Sequence, residues 1–247
     1  MVIAHKPKIL LFDIETRYII FRGWTTGKQW VKHDQIIDGQ HPDIICISYK
    51  WFGSPQVKTL HWDIKTQNSA TMINTFTKVV ESADICIGHN ADKFDIRHIN
   101  TQRMLHNQDP IAWPTSDDTL KAIRRYFLLP SYSLDYLSRL VGRKGKQRMT
   151  FADWVDVVEK RSTKALAKMI RYNRNDVREL EMVYRRFLRY LKPKAHAGLI
   201  TGTGKTSCPR CGSTRARSKG LVYLLANTYR RLMCLDCRHS YRGRVPV

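Results

Sequence analysis

Four of the six cysteines fall in two pairs, Cys208-Pro-Arg-Cys211 and Cys234-Leu-Asp-Cys237, with 22 residues between the pairs. Each C-x-x-C turn holds two sulfurs at ligand separation, so the pairs can converge tetrahedrally on one zinc ion. Paired disulfides suit oxidising compartments, and a redox C-x-x-C comes singly beside a βαβ pattern. Four sulfurs leave no open coordination position, so the expected role is structural. Thr206, Thr214, Val222, Tyr223, Tyr229 and Tyr241 suit the short strands of a zinc ribbon. His239 follows the last pair as a possible replacement ligand. Cys46 and Cys86 lie inside apolar runs and read as small core residues.

The module around these cysteines is strongly basic. Residues 198–247 hold ten Lys or Arg and one acid, Asp236. Residues 1–138 carry 16 basic and 14 acidic side chains, whereas 139–247 carry 27 and 7. Such a concentration of one sign repels itself and is relieved by a polyanion, which makes nucleic acid the expected partner. An anionic membrane is the rival, but no basic amphipathic anchor is evident. The longest apolar runs, near Ile9–Phe12 and Ile44–Ile47, are far too short to span a bilayer. The charged, proline-containing N-terminus lacks the apolar core of a signal peptide, so a soluble, cytoplasmic and nucleoid-associated protein is expected. Thr201-Gly-Thr-Gly-Lys-Thr206 imitates a phosphate loop, but Leu199 stands where the pattern needs its first glycine. Residues 195–207 read instead as a flexible linker.

The remaining chain, with 43% hydrophobic residues overall, has enough apolar surface for a core. Lys8 to Glu15 reads as a buried strand ending in Asp13 and Glu15, which share one strand face. Two like charges closing a core strand call for a cation between them. Strands are also expected around 43–52, 56–62 and 84–88, with a helix near 69–81. After Asp84-Ile-Cys-Ile-Gly-His-Asn90, a helical pattern puts Asp95 in a first turn, where Asp92 suits the helix dipole. From Ser162 to about Leu191 apolar residues recur at helical spacing. Tyr172 and Asp176 stack on one face of it, while Asn173 and Asn175 are poor choices for a purely structural helix interior.

Phe12-Asp13-Ile14-Glu15-Thr16, then Asn90 through Phe94-Asp95, then Tyr172-Asn-Arg-Asn-Asp176 together resemble the DEDDy class of 3′→5′ exonucleases in the ribonuclease-H-like superfamily. The likeness is to the proofreading domains of family-B DNA polymerases and covers about residues 6–192; Ser116–Lys121 and Ser133–Leu137 are similar as well. It implies an α/β fold, a ribonuclease-H-like mixed sheet flanked by helices, over 1–194, to which the cysteine spacing adds a zinc ribbon at 208–247. It also implies two Mg²⁺ or Mn²⁺ ions held by Asp13, Glu15, Asp95 and Asp176; the one structural Zn²⁺ is expected from the cysteine pairs alone. By this resemblance Asp13 bridges the ions, Glu15 and Asp176 face the nucleophile, and Asp95 acts through the second ion. Tyr172 then orients the attacking water, since a phenol with pKa near 10 is a poor base.

By the same resemblance Asn90 and Phe94 line the site, either contacting the terminal nucleotide or packing beneath Asp95, and Thr16 also touches the 3′ end. The basic run containing Arg143, Lys144 and Lys146 reads either as a phosphate clamp or as a solvated loop. Trp24 and Trp30 read as packing more than as stacking platforms. DNA is expected more than RNA, and the nuclease is expected to work either alone or with a replication or recombination protein in trans. A ribonuclease or structure-selective endonuclease on the same scaffold stays open, as does a silent nucleic-acid-binding adaptor.

Overall fold

The computed structural model describes residues 6–24, 27, 30–37, 41–143 and 149–247. Among them the central layer is a five-stranded sheet of order β3-β2-β1-β4-β5. Its strands are β1 (Ile9–Thr16), β2 (Ile44–Trp51), β3 (Lys58–His61), β4 (Ile85–Gly88) and β5 (Thr115–Asp118). β1 pairs antiparallel with β2 and parallel with β4, so the sheet is mixed. β2 pairs antiparallel with β3, and β4 parallel with β5.

Strand alternation sorts β1 into two faces. Leu10, Phe12 and Ile14 pack against Met72, Ile73, Phe76 and Val80 of α1 (Ala70–Glu81) and Ile99 of α2 (Asp95–Leu105). Leu11 points the other way, into a cluster with Val177, Leu180 and Tyr184 of α6 (Thr163–Phe187). The remaining helices of this layer are α3 (Thr119–Tyr126), α4 (Leu134–Leu140) and α5 (Phe151–Val158). Cys46 and Cys86 are fully buried, as expected.

Helix α6 starts where the sequence indicates, with the Ser162 hydroxyl accepting from the Ala165 N–H at 3.2 Å. Buried ion pairs fasten its middle: Glu181 to Lys50 of β2, and Glu179 to Arg143 at 2.8 Å.

A second sheet, antiparallel in the order β6-β7-β8, follows α6. Its strands are β6 (Ala216–Tyr223), β7 (Thr228–Cys234) and β8 (Ser240–Pro246). The segment 195–207 is not the flexible linker expected from its glycines. A short helix, α7 (Ala197–Ile200), hydrogen-bonds through Ala197 N–H to Pro209 O at 2.8 Å. Thr203 Oγ1 donates to Gly212 O at 2.7 Å, so this stretch is folded onto the first cysteine pair. A Cβ on Gly198 would fall on Ser207 Oγ, which explains one of the glycines as close packing. Among the described residues no helix is long and apolar enough to cross a membrane.

Candidate active site

The face of β1 that buries Leu11 continues two and four residues later as Asp13 and Glu15. From Leu11 to Glu15 the strand advances roughly 13 Å. Over about the same distance, 12 Å, α6 runs back from Leu180 to Tyr172. The apolar contact between strand and helix therefore gives way, at one end, to a polar one. There the carboxylate oxygens of Asp13, Glu15 and Asp176 lie within 4.8 Å of one another.

Tyr172 sits one turn before Asp176 and hydrogen-bonds to it. Burial pushes its phenol far above the usual range, and the charges of Asp176, Glu15 and Asp13 push it further. This hydroxyl keeps its proton at any ordinary pH. Asn173, fully buried, donates from Nδ2 to Asp13 Oδ2 at 2.7 Å. It is a site residue to which the motif, though it spans Asn173, assigned no role. The signal was present, because an asparagine on the buried face of a helix needs a polar partner.

Asp95 is not part of the three-carboxylate cluster. Its Oδ1 accepts from the backbone N–H of Ile14 at 3.1 Å, so it reaches β1 between the two strand carboxylates in sequence. Burial pushes Asp95 up to about 7, against the pull of its backbone hydrogen bonds and with the help of the Asp118 charge. The loop that delivers it is held by Asp118, whose carboxylate accepts from Asn90 N–H at 3.1 Å and Asp92 N–H at 3.2 Å. Gly88 permits the turn, since a Cβ there would lie 2.4 Å from the Ala91 Cβ. Asn90 takes a left-handed conformation at φ +69°, which asparagine tolerates better than most residues. Asp92 lies outside the helix and pairs with Lys121 at 2.8 Å, which corrects its expected helix-dipole role.

The expected substrate contacts divide. Thr16 ends β1 beside Glu15, where the ladder to β2 shifts register, and its carbonyl accepts from Trp154 Nε1 at 3.2 Å. Phe94 is exposed, its ring edge-on to His98 at 4.4 Å. Arg143 is buried between Asp135 and Glu179, at 2.8 Å from each, so its charge is spent inside the protein and does not form a phosphate clamp. Lys144 and Lys146 lie outside the described residues. Trp24 and Trp30, expected to pack, are almost wholly exposed at 98% and 96%.

Three hard oxygen donors gathered around one point suit Mg²⁺ or Mn²⁺ rather than zinc. Three carboxylates this close repel one another, and a divalent cation relieves them. The cysteines form a separate cluster whose four sulfurs also lie within 4.8 Å of one another. Cys208 and Cys237 sulfurs are 3.6 Å apart, Cys211 and Cys234 sulfurs 3.7 Å. Tetrahedral Zn–S bonds of 2.3 Å require about 3.8 Å. The cluster fits a small zinc-binding module. His239 is not in the cluster; its ring stacks with that of Tyr241 at 6.1 Å.

Residues 34–188 match the family model of the RNase_H superfamily. The chain belongs to the RNase_H superfamily. Within this superfamily member the matched span holds Asp95, Tyr172 and Asp176, and β1 with Asp13 and Glu15 precedes it. No curated protein matches the sequence. Among solved structures, the fold is similar to the family B DNA polymerase from the hyperthermophilic archaeon Pyrobaculum calidifontis. The likeness has a TM-score of 0.57 and 12% identity over 90% of this chain, which spans 32% of that polymerase chain.

Proposed function

We propose that this RNase_H-superfamily chain is a DEDDy-type 3′→5′ exonuclease that hydrolyses phosphodiester bonds at single-stranded DNA ends. The observation that supports it is the meeting of Asp13, Glu15 and Asp176 with the Tyr172 hydroxyl on one side of β1. Mg²⁺ or Mn²⁺ bound here would activate water and stabilise charge on the scissile phosphate and the leaving 3′ oxygen. Asp13, Glu15 and Asp176 would hold the cations, and Asp95 is the fourth carboxylate. Tyr172, locked in its protonated form, positions the attacking water by a hydrogen bond and removes no proton. Asn173 fixes the orientation of Asp13. The exposed ring of Phe94 offers a stacking face to the terminal base, with Thr16 and Asn90 beside it.

In this reading residues 1–194 are the nuclease domain and 208–247 a nucleic-acid-binding zinc ribbon, joined through 195–207. The ribbon raises the effective concentration of substrate at the carboxylates.

The test is cleavage of 5′-labelled single-stranded, duplex and branched DNA, and of RNA, with Mg²⁺ or Mn²⁺. The Asp13→Ala protein is the control. A ladder descending from the 3′ end, absent with Asp13→Ala, supports the reading. Discrete internal cuts in branched DNA or RNA would replace the exonuclease by an endonuclease at the same carboxylates. Binding without cleavage of any substrate would leave an adaptor.

A further inference from the structure

The hairpin joining β6 to β7 ends in Tyr223-Leu224-Leu225-Ala226-Asn227. Leu224 N–H donates to Asn227 O at 2.9 Å, which closes the turn and gives the tip a defined shape. Tyr223 is 75% exposed, and Leu225 is fully exposed. Val247 N–H donates to Thr228 O at 2.9 Å, which brings the end of β8 alongside and adds exposed Val245 and Val247. None of these residues joins a hydrophobic cluster among the described residues. Leaving such a group of apolar side chains in water is unfavourable, and it marks a contact surface.

The position of this tip narrows what it contacts. β7 runs from Thr228 at the tip to Cys234 in the cysteine cluster, a span of roughly 20 Å. One end of the sheet is thus tied by its cysteines and the other projects. Between them the three strands carry Arg217, Lys219, Arg230, Arg231, Arg242 and Arg244 and no acid. Arg242 stacks over the Tyr229 ring at 4.5 Å. Arg217, Arg231 and Arg242 share one face of the sheet and Arg230 lies on the other. Cations on both faces thus flank a narrow apolar point, which complements a phosphate backbone that ends in exposed base pairs. Leucine and similar side chains insert between base steps, and aromatic rings stack on bases. An anionic membrane would meet the same cations, so vesicles form an arm of the test.

We propose that the β6–β7 tip is a wedge for duplex ends. Tyr223 and Leu225 enter beside the terminal base pair and unstack it, while the arginines hold the flanking phosphates. Unstacking at the tip yields a free 3′ strand, and the use of that strand as a substrate rests on the nuclease reading above.

The full-length Asp13→Ala chain is mixed with a duplex that carries 2-aminopurine in its terminal base pair. Fluorescence rises when that base leaves the stack, and no cleavage is needed. With Leu224→Ser and Leu225→Ser together, the rise should fall below about a quarter of its size, while single-strand affinity stays within about twofold. Leu225→Phe should keep the rise, which separates loss of the wedge from loss of folding. An undiminished rise in the double-serine protein, or no rise with the unaltered tip, overturns the proposal. So does a double-serine defect seen only on phosphatidylserine vesicles, which would assign the tip to membranes. Single-strand cleavage by the unaltered chain tests the nuclease reading separately.

Discussion

The Asn173 side-chain amide donates to the Asp13 carboxylate at 2.7 Å, across 160 residues of sequence. It ties α6 to β1 at the point where three carboxylates crowd together. Replacing Asn173 by Ala should lower kcat by about 10- to 100-fold, in the range of lost supports to metal ligands. KM should change little, because Asn173 is buried away from the strand. Steady-state cleavage of a single-stranded oligonucleotide measures both. An unchanged kcat would show that Asp13 needs no such support.

Tyr172→Phe keeps the ring and removes the hydroxyl. A loss in kcat of about 10- to 100-fold is expected for a group that positions water. Because burial and the nearby carboxylates hold the phenol protonated, the rate of the unaltered protein should show no inflection from Tyr172 between pH 7 and about pH 9. An alkaline limb that disappears in Tyr172→Phe would instead make the tyrosine a proton acceptor.

The chain shows plainly in its letters where one physical requirement dominates. The apolar run of β1 and the helical period of α6 are such cases, and with them came Asp13, Glu15, Tyr172 and Asp176. β5 did not show, because Thr115-Ser-Asp-Asp118 is polar and short. Asp118 is nonetheless fully buried, since backbone N–H groups from Asn90 and Asp92 compensate its charge. Arg143, readable in sequence as either a phosphate clamp or a solvated loop, is an ion-paired residue of the interior for the converse reason. Its partners, Asp135 and Glu179, are 8 and 36 residues distant, and composition does not reveal such pairing. The exposure of Trp24 and Trp30 likewise depends on what fails to cover them.

Those two tryptophans should act as stacking platforms for single-stranded DNA. Trp24→Ala and Trp30→Ala should each weaken binding by about 1–3 kcal/mol if each stacks on one base. Anisotropy of a labelled oligonucleotide reads this. Unchanged affinity in both proteins would remove the segment from the substrate path.

Glu181 gives the fold a pH dependence of known sign. Burial alone raises its carboxyl, but bonds from Lys50, Arg185 and the Gly53 N–H outweigh it and hold it below the ordinary 4.5. A depressed carboxylate stabilises the fold above pH 4.5, and that contribution is lost as pH falls through the lower folded value. Glu181→Gln leaves Lys50 buried without its counter-charge and should cost about 3 kcal/mol at pH 7. Urea denaturation at pH 7 and again near pH 3 should show the gap narrowing with acid. A gap that stays constant would contradict an electrostatic origin.

Cys234→Ser should reduce bound zinc and lower the melting temperature of the 208–247 region, because metal binding supplies folding energy to so small a sheet. Duplex affinity and its salt dependence should fall with it. Zinc analysis and salt titrations on the full chain test both. Full zinc content would mean that three sulfurs suffice.

The central position of β1 carries one more consequence. It is paired on both edges, Leu10 with Trp51 on one side and with Cys86 on the other. A slip of one residue against either neighbour would turn Phe12 and Ile14 toward α6 and send Asp13 and Glu15 into the apolar layer of Phe76 and Ile99. The acids that form the candidate cation site thus also forbid the mispaired sheet, so the clustering of carboxylates and the correct strand alignment arise in one event.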